Sequence, residues 1–179
     1  MTPTIEEIFE VFRSRGQRTY GNGTMVVNHC VHTAELARKD GAHAALVAAA
    51  LLHDIGHLIG TPPDGFRIYD HDTVAADYLA PVFPPQVTEP IRLHVRAKRY
   101  MISQSYEYVT SLSTTALKTL AYQGGGMTVD ECAAFEDEPF CQDALRLRAW
   151  DDIAKVDGPP GPPLESYRDL LVSLAVGPQ

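Results

Sequence analysis

Leu51-Leu52-His53-Asp54-Ile55-Gly56-His57 places two strong metal-ligand types, an imidazole and a carboxylate, side by side at the end of an apolar run. The preceding residues, Ala42 to Leu52, are nearly all Ala, Leu and Val, so the helix that carries the pair is expected to be buried on most sides. A bare carboxylate in such a setting costs several kcal/mol, on the order of the effective desolvation penalty of one buried ion. A metal ion supplies the missing positive charge, and an Asp beside a His serves two ions if its carboxylate bridges them. Taken alone, the dipeptide also fits a plain helix C-terminus at which His53 and His57, one turn apart, cap carbonyl groups. The other histidines tip the reading toward a metal. His29 lies before the motif and His71 and His94 after it, each in a segment with helical patterning. Ligands dispersed over several helices are how a helical bundle builds an internal metal site.

The 179 residues suffice for one domain with a substantial core, and no second domain is needed. A formal net charge of -8 argues against nucleic acid as a partner, while leaving room for a local basic patch that grips a small anion. Cys30, Cys132 and Cys141 form no CxxC pair and are odd in number, which fits reduced thiols in a cytoplasmic protein. Cys30, beside His29, reads as a packing residue. A signal-peptide core is lacking, and no apolar run approaches the roughly 20 residues of a membrane span, so no membrane partner is expected.

Along the chain, Ile5, Ile8, Phe9 and Phe12 recur at helical spacing behind Thr4, an N-cap followed by Glu6 and Glu7, and predict an amphipathic helix to Arg15. Tyr20-Gly21-Asn22-Gly23 forms a turn-rich loop placed to act as a lid, since it runs directly into a helix from Met25 to Lys39 that carries His29. His32 and His43 read as solvated or capping residues. Gly60, Pro62, Pro63 and Gly65 make residues 59–69 an irregular loop. Asp70 is then expected to cap a helix starting at His71, with Val74, Ala75, Tyr78 and Leu79 on one face and Pro81 to Pro85 ending it. A helix from about Gln86 through His94 toward Lys98 sets those last two residues one turn apart. Further helices are expected over Ser113 to Tyr122, from a capping box of Thr128 and Glu131, over Glu138 to Ala149, and over Leu164 to Leu174. Strand-like alternation and internal repeats are absent, so the fold class is all-α.

His29, His53-Asp54 and Asp151, in this order, resemble the H…HD…D pattern of the HD-domain superfamily, helical bundles most of whose members are metal-dependent phosphohydrolases. His71 and His94 match the two further histidines of HD proteins that bind two irons. His71-x-x-x-Ala75-Ala76-Asp77-Tyr78-Leu79, His94-Val95-x-Ala97-Lys98-Arg99-Tyr100, Tyr122-Gln123-Gly124-Gly125 and Arg148-Ala149-Trp150-Asp151 are similar to the mixed-valent diiron phosphonate oxygenases of the PhnZ type, over about the whole stretch from Tyr20 to Asp151. The resemblance implies one HD domain over residues 1–179, an HD-domain helical bundle with a buried dinuclear metal site. It implies two iron ions, Fe(II)/Fe(III), with O2 as co-substrate, and oxidative cleavage of the carbon–phosphorus bond of a small 1-hydroxyalkylphosphonate with release of phosphate.

Carried over residue by residue, the resemblance gives one iron to His29, His53, Asp54 and Asp151 and the other to Asp54, His71 and His94. Tyr20 matches a mobile tyrosine that covers the site before substrate arrives, and His57 matches a histidine beside the substrate. Lys98, Thr119, Gln123 and Arg148 fall where the family contacts the phosphonate. Two positions depart from the pattern. The glutamate that meets a substrate amine after the lid tyrosine has no counterpart in Tyr20-Gly21-Asn22-Gly23, and a serine that touches the phosphonate is replaced by Ala116. The distal group of the substrate is thereby left open between a primary amine, a trimethylammonio group and an uncharged group. The aromatic face of Tyr20 suits the second of these.

On ligand type alone, four imidazoles and two carboxylates suit iron, manganese or zinc. Lys98 and Arg148 are expected to neutralise a phosphonate dianion, Arg148 by gripping two oxygens at once. The alternative for Arg148 is a salt bridge to the acidic residues around Asp137 and Glu138. Two other functions compete: an HD phosphohydrolase acting on a phosphate ester or nucleotide, and a binding module with a vestigial site, against which the complete ligand set speaks.

Overall fold

A computed structural model describes residues 2–59, 70–155 and 161–176, which fold into ten α-helices and two short 3-10 turns. The helices are α1 (Ile5–Arg15), α2 (Val26–Lys39), α3 (Ala44–Leu52), α4 (His71–Leu79), α5 (Pro85–Gln104), α6 (Tyr106–Ser111), α7 (Thr114–Tyr122), α8 (Val129–Glu136), α9 (Cys141–Ala154) and α10 (Arg168–Leu174), with 3-10 turns at Ile55–His57 and Leu164–Tyr167. Among the described residues the only β pairing is an isolated bridge between Thr19 and Met25 at the base of the Tyr20 loop. The fold is all-α, as the sequence patterning requires.

At the centre lies α3, in which every residue from Ala45 to Leu52 is buried. Its alanines add little bulk between helix axes, so α2, α5, α9 and α10 all pack against it. Each leucine buried there contributes roughly 1.5–3 kcal/mol through loss of apolar surface to water. His43 caps the start of α3, its Nδ1 accepting the Leu46 N–H at 3.2 Å. Two helices also serve a second core. On α5, Ile91 faces the main cluster and Ala97 the smaller one; on α9, Leu147 faces the main cluster and Ala144 the smaller one, together with Phe135 of α8. Side chains on α5 and α9 are therefore gripped from two sides.

Several sequence expectations shift on contact with tertiary structure. The Thr4 cap of α1 is a full capping box, with Glu7 returning a bond to the Thr4 N–H. Asp70 occupies the N-cap of α4 but its side chain makes no cap bond. The buried face of α4 carries His71, Asp72, Ala75, Ala76 and Leu79, leaving Val74 and Tyr78 half-buried. The helix bearing His94 runs well past Lys98 to Gln104 despite Pro90, and α6 follows where no helix was expected. The helix bearing Arg148 starts at Cys141, not Glu138, because Pro139 disfavours helical geometry at the residue before it. It continues to Ala154, so Asp151 lies inside a helix and not at its end. The final helix begins as a 3-10 turn. Most of the 59–69 loop lies outside the described residues.

Gly56 shows why the motif has its spacing. A Cβ on Gly56 would sit 2.0 Å from the His71 carbonyl oxygen, so the 3-10 turn after Asp54 lies directly on the start of α4. That close approach brings His71 to Asp54.

Candidate metal centre

Five helices and the HD turn converge on one buried cluster. His29 comes from α2, His53 from the C-cap of α3, Asp54 from the next residue, His71 from the first turn of α4, His94 from the middle of α5 and Asp151 from α9; all six are buried. His29 Nε2 lies 2.9 Å from Asp151 Oδ1 and 3.7 Å from Asp54 Oδ2. His53 Nε2 lies 3.3 Å from Asp54 Oδ2 and 3.8 Å from Asp151 Oδ1. The other Asp54 oxygen faces a different set, with His71 Nε2 at 3.3 Å, His57 Nε2 at 3.8 Å and His94 Nε2 at 3.9 Å from Oδ1. The His71 and His94 Nε2 atoms are 3.0 Å apart. One carboxylate thus divides the cluster, each oxygen turned to its own group of donors. His29, His53, Asp54 and Asp151 form one group with the spacing for an ion, and Asp54, His57 and His71 form another.

The donor atoms fit cations. His53 Nδ1 meets the Ala50 carbonyl at 2.8 Å and His94 Nδ1 meets the Ile91 carbonyl at 2.6 Å. A carbonyl only accepts, so each Nδ1 carries the proton, and in the neutral ring Nε2 presents a lone pair to the centre. His53 Nε2 is buried with no hydrogen-bond partner and points at two carboxylates. A lone pair facing two anions is repulsive unless positive charge lies between them. Burial alone would lower the basicity of His53, yet Asp54 and Asp151 push it up to about 10, which states the same demand for a cation. Burial and the neighbouring rings hold His71 well below the usual histidine range and bring His94 down to about 4, leaving both lone pairs available. Burial would raise Asp54 and Asp151, but His53 beside the first and Arg148 beside the second hold both well below the usual carboxylate range. Cys30 is fully buried and its thiol is pushed up by burial and by Asp54, so it presents no thiolate.

A cationic wall stands beside the cluster. Lys98 is 3% exposed, and its Nζ donates to the Ala116 carbonyl at 2.9 Å, Thr119 Oγ1 at 3.0 Å and Gln123 Oε1 at 2.9 Å. Burial, then repulsion from Arg148, lower it to about 7. Three of the four residues expected at the phosphonate are thus in mutual contact, and Ala116 joins them through its backbone. Arg148 does not pair with Asp137 or Glu138. Glu138 is taken by Arg96, while the Arg148 guanidinium bonds Asp151 Oδ2 through Nη1 at 2.7 Å and Asp152 through Nε and Nη2. Asp152, Tyr108 and Lys155 were not singled out in the sequence. The i,i+4 spacings of Arg148 with Asp152 and of Asp151 with Lys155 were the signals available for two of them.

Tyr20 closes the centre from the loop side, its hydroxyl donating to Asp54 Oδ2 at 2.5 Å. The ring stands edge-on to His29 and His57, with centroids 5.3 and 6.0 Å away. His57 is half-buried and stacks on His71 at 4.0 Å, and burial lowers its pKa. Asn22 is engaged elsewhere, accepting from the Thr24 N–H at 3.1 Å and donating to the Lys155 carbonyl at 3.3 Å.

The HD domain family matches residues 26–154, which includes every residue of this cluster. A hydroxymethylphosphonate dioxygenase of Gimesia maris is 40% identical over 94% of this chain and 87% of its own length. A [1-hydroxy-2-(trimethylamino)ethyl]phosphonate dioxygenase (glycine-betaine-forming) of Leisingera caerulea is 33% identical over 84% of this chain and 80% of its own. An uncharacterized protein of Acanthamoeba polyphaga mimivirus is 34% identical over 94% of this chain and 79% of its own. With the H…HD…D residues gathered in one buried cluster and these relatives aligned over most of its length, the chain belongs to the HD domain family, in the group that contains these phosphonate dioxygenases.

Proposed function

We propose that this chain, as a single HD domain, is a dioxygenase that cleaves the carbon–phosphorus bond of a small 1-hydroxyalkylphosphonate and releases phosphate. The observation that carries the reading is the division of Asp54, with one oxygen toward His29 and His53 and the other toward His71 and His94, beside a buried lysine that faces only neutral oxygens. In this reading His29, His53, Asp54 and Asp151 hold one iron and Asp54, His71 and His94 the other, as an Fe(II)/Fe(III) pair. When bound, the two irons supply the one-electron chemistry that activates O2. The overall reaction balances without another reductant: R–CH(OH)–PO3(2−) and O2 give R–COO(−), HPO4(2−) and H(+). The four electrons that reduce O2 come from the C–H and C–P bonds, both of which break.

The chain's residues supply binding and proton handling. Lys98 and Arg148 offset the phosphonate charge, with the hydroxyl of Thr119 and the amide of Gln123 bonding its oxygens. Donor count allows this for Arg148: of its five N–H groups, three are committed to Asp151 and Asp152, and two remain. Tyr20 gives up its bond to Asp54 as substrate enters, which opens the centre. In this reading neutral His57, its pKa lowered by burial, accepts the substrate hydroxyl proton at Nε2. With Asn22 committed to Thr24 and Lys155, the loop offers no carboxylate for a primary ammonium, so the favoured substrates carry a hydrogen or a trimethylammonio group at the distal end.

The test is phosphate release from hydroxymethylphosphonate and from the 2-amino and 2-trimethylammonio derivatives of 1-hydroxyethylphosphonate, in air and under anaerobic conditions. Release should require O2, with the 2-amino compound giving the lowest kcat/KM. Equal release without O2 would establish a hydrolase instead. A preference for the amine would assign its recognition to an acid outside the Tyr20 loop.

A further inference from the structure

Asp152 is a half-buried carboxylate that faces none of the centre's histidines, yet three side chains converge on it. Arg148 reaches it through Nε at 3.0 Å and through Nη2, Tyr108 donates its hydroxyl at 2.5 Å from α6, and Lys155 Nζ lies 3.0 Å away. Tyr108 also accepts from Arg148 Nε at 3.3 Å. The side-on pair from Arg148 to Asp152 fixes the plane of the guanidinium. Its Nη1 is thereby held 2.7 Å from Asp151 Oδ2, leaving Asp151 Oδ1 to face His29 and His53. A guanidinium locked on one edge has already lost the rotamer freedom that gripping an anion costs, so its remaining N–H groups are preorganised. Charge supports the same role. Arg148 and Lys155 are balanced by Asp151 and Asp152, so the arginine stays buried without drawing an anion except through its unspent donors.

We infer that Asp152 is a positioning residue that, with Tyr108, locks Arg148 in the orientation from which it binds the anionic group of the substrate. The inference rests on the reading of Arg148 as an anion-binding residue, but not on the oxygenase chemistry.

The experiment is a double-mutant cycle read by calorimetric titration of inorganic phosphate into metal-loaded protein kept anaerobic, with metal content measured in parallel. Asp152→Asn keeps the shape but places an amide donor against a donor. It should weaken phosphate binding about tenfold with metals retained. Arg148→Ala should weaken it at least as much, and Asp152→Asn on the Arg148→Ala background should add nothing. A purely structural Asp152 would lower affinity equally on both backgrounds. That result, an unchanged phosphate Kd in Asp152→Asn, or metal loss that accounts for the weakening, would overturn the inference. So would an Arg148→Ala protein with wild-type phosphate affinity. If Asp152→Asn does not fold, Tyr108→Phe enters the same cycle with a smaller expected shift and the same criterion of non-additivity. Failure of the wild type to release phosphate under O2 would remove the oxygenase reading and leave this cycle intact.

Discussion

Lys98→Met should stabilise the protein and weaken its anion site at the same time. The folded chain holds Lys98 3% exposed against neutral oxygens, where burial and Arg148 bring the ammonium from 10.5 to about 7. The sign follows from proton counting. Between about pH 7 and 10.5 the unfolded chain binds more protons at this residue than the folded one, so stability rises with pH across that window and the cost is fully present below it. At about 1.4 kcal/mol per pH unit the cost approaches ~5 kcal/mol on the acid side and ~4 kcal/mol at pH 7, both upper limits because a buried amine draws in water. Methionine removes the charge at similar length. It leaves three oxygens short of a donor, but the Ala116 carbonyl keeps the Thr119 hydroxyl at 3.0 Å and half-buried Gln123 can turn to water. Those losses cost about 1–3 kcal/mol. The net expectation is a gain of at most about 1–3 kcal/mol at pH 7 that shrinks toward pH 10, read by urea unfolding at pH 6, 7 and 10. Phosphate affinity should fall by about 2–5 kcal/mol, the range for truncating one partner of a buried charge pair. A Lys98→Met protein that is less stable at pH 6, or that binds phosphate as the wild type does, would refute the reasoning.

Two further outcomes bear on the metals. Asp54→Ala removes the one carboxylate that faces both donor groups, so metal analysis should find both ions lost or severely depleted; two irons per chain would remove Asp54 from the bridging position. His94→Ala should cost one metal ion, whereas His57→Ala should retain both and lower kcat. The reverse pattern would assign the second ion to His57, whose ring nitrogen lies as close to Asp54 Oδ1 as that of His94 does.

The helices that surround the site were legible where hydrophobic period and capping chemistry agreed. The uniform apolar run of α3 announced burial on all sides, Thr128 begins its helix with the expected box, and Thr4, expected as an N-cap, begins α1 with a box as well. Boundaries failed where the deciding interactions lie far along the chain. The last turns of α5 are held by Arg99 to the Gly125 carbonyl and to Glu131, and by Ser103 to the Met127 carbonyl, partners more than twenty residues downstream. Asp70 looked like a cap because its type and position suit one, yet the site draws the start of α4 onto the Gly56 turn.

At the centre, residue types in helical segments pointed to His29, His53, Asp54, His71 and His94, and the resemblance to the H…HD…D pattern added Asp151. What a one-dimensional reading could not supply is which oxygen or nitrogen faces which partner. The neutral tautomers of His53 and His94 depend on carbonyls three residues earlier in the chain, a relation that exists only once the helices form. The neighbourhood of Arg148 depends on α9 continuing past Asp151, which converts two consecutive acids into its i+3 and i+4 partners. That continuation changes the electrostatic argument. Arg148 and Lys155 are offset by Asp151 and Asp152, whereas Lys98 bonds only neutral oxygens. Of these two side chains, Lys98 therefore offers an entering dianion the larger new Coulomb attraction and Arg148 the geometry, so substitutions at the two positions should differ in kind: the first in pH dependence, the second in the coupling to Asp152.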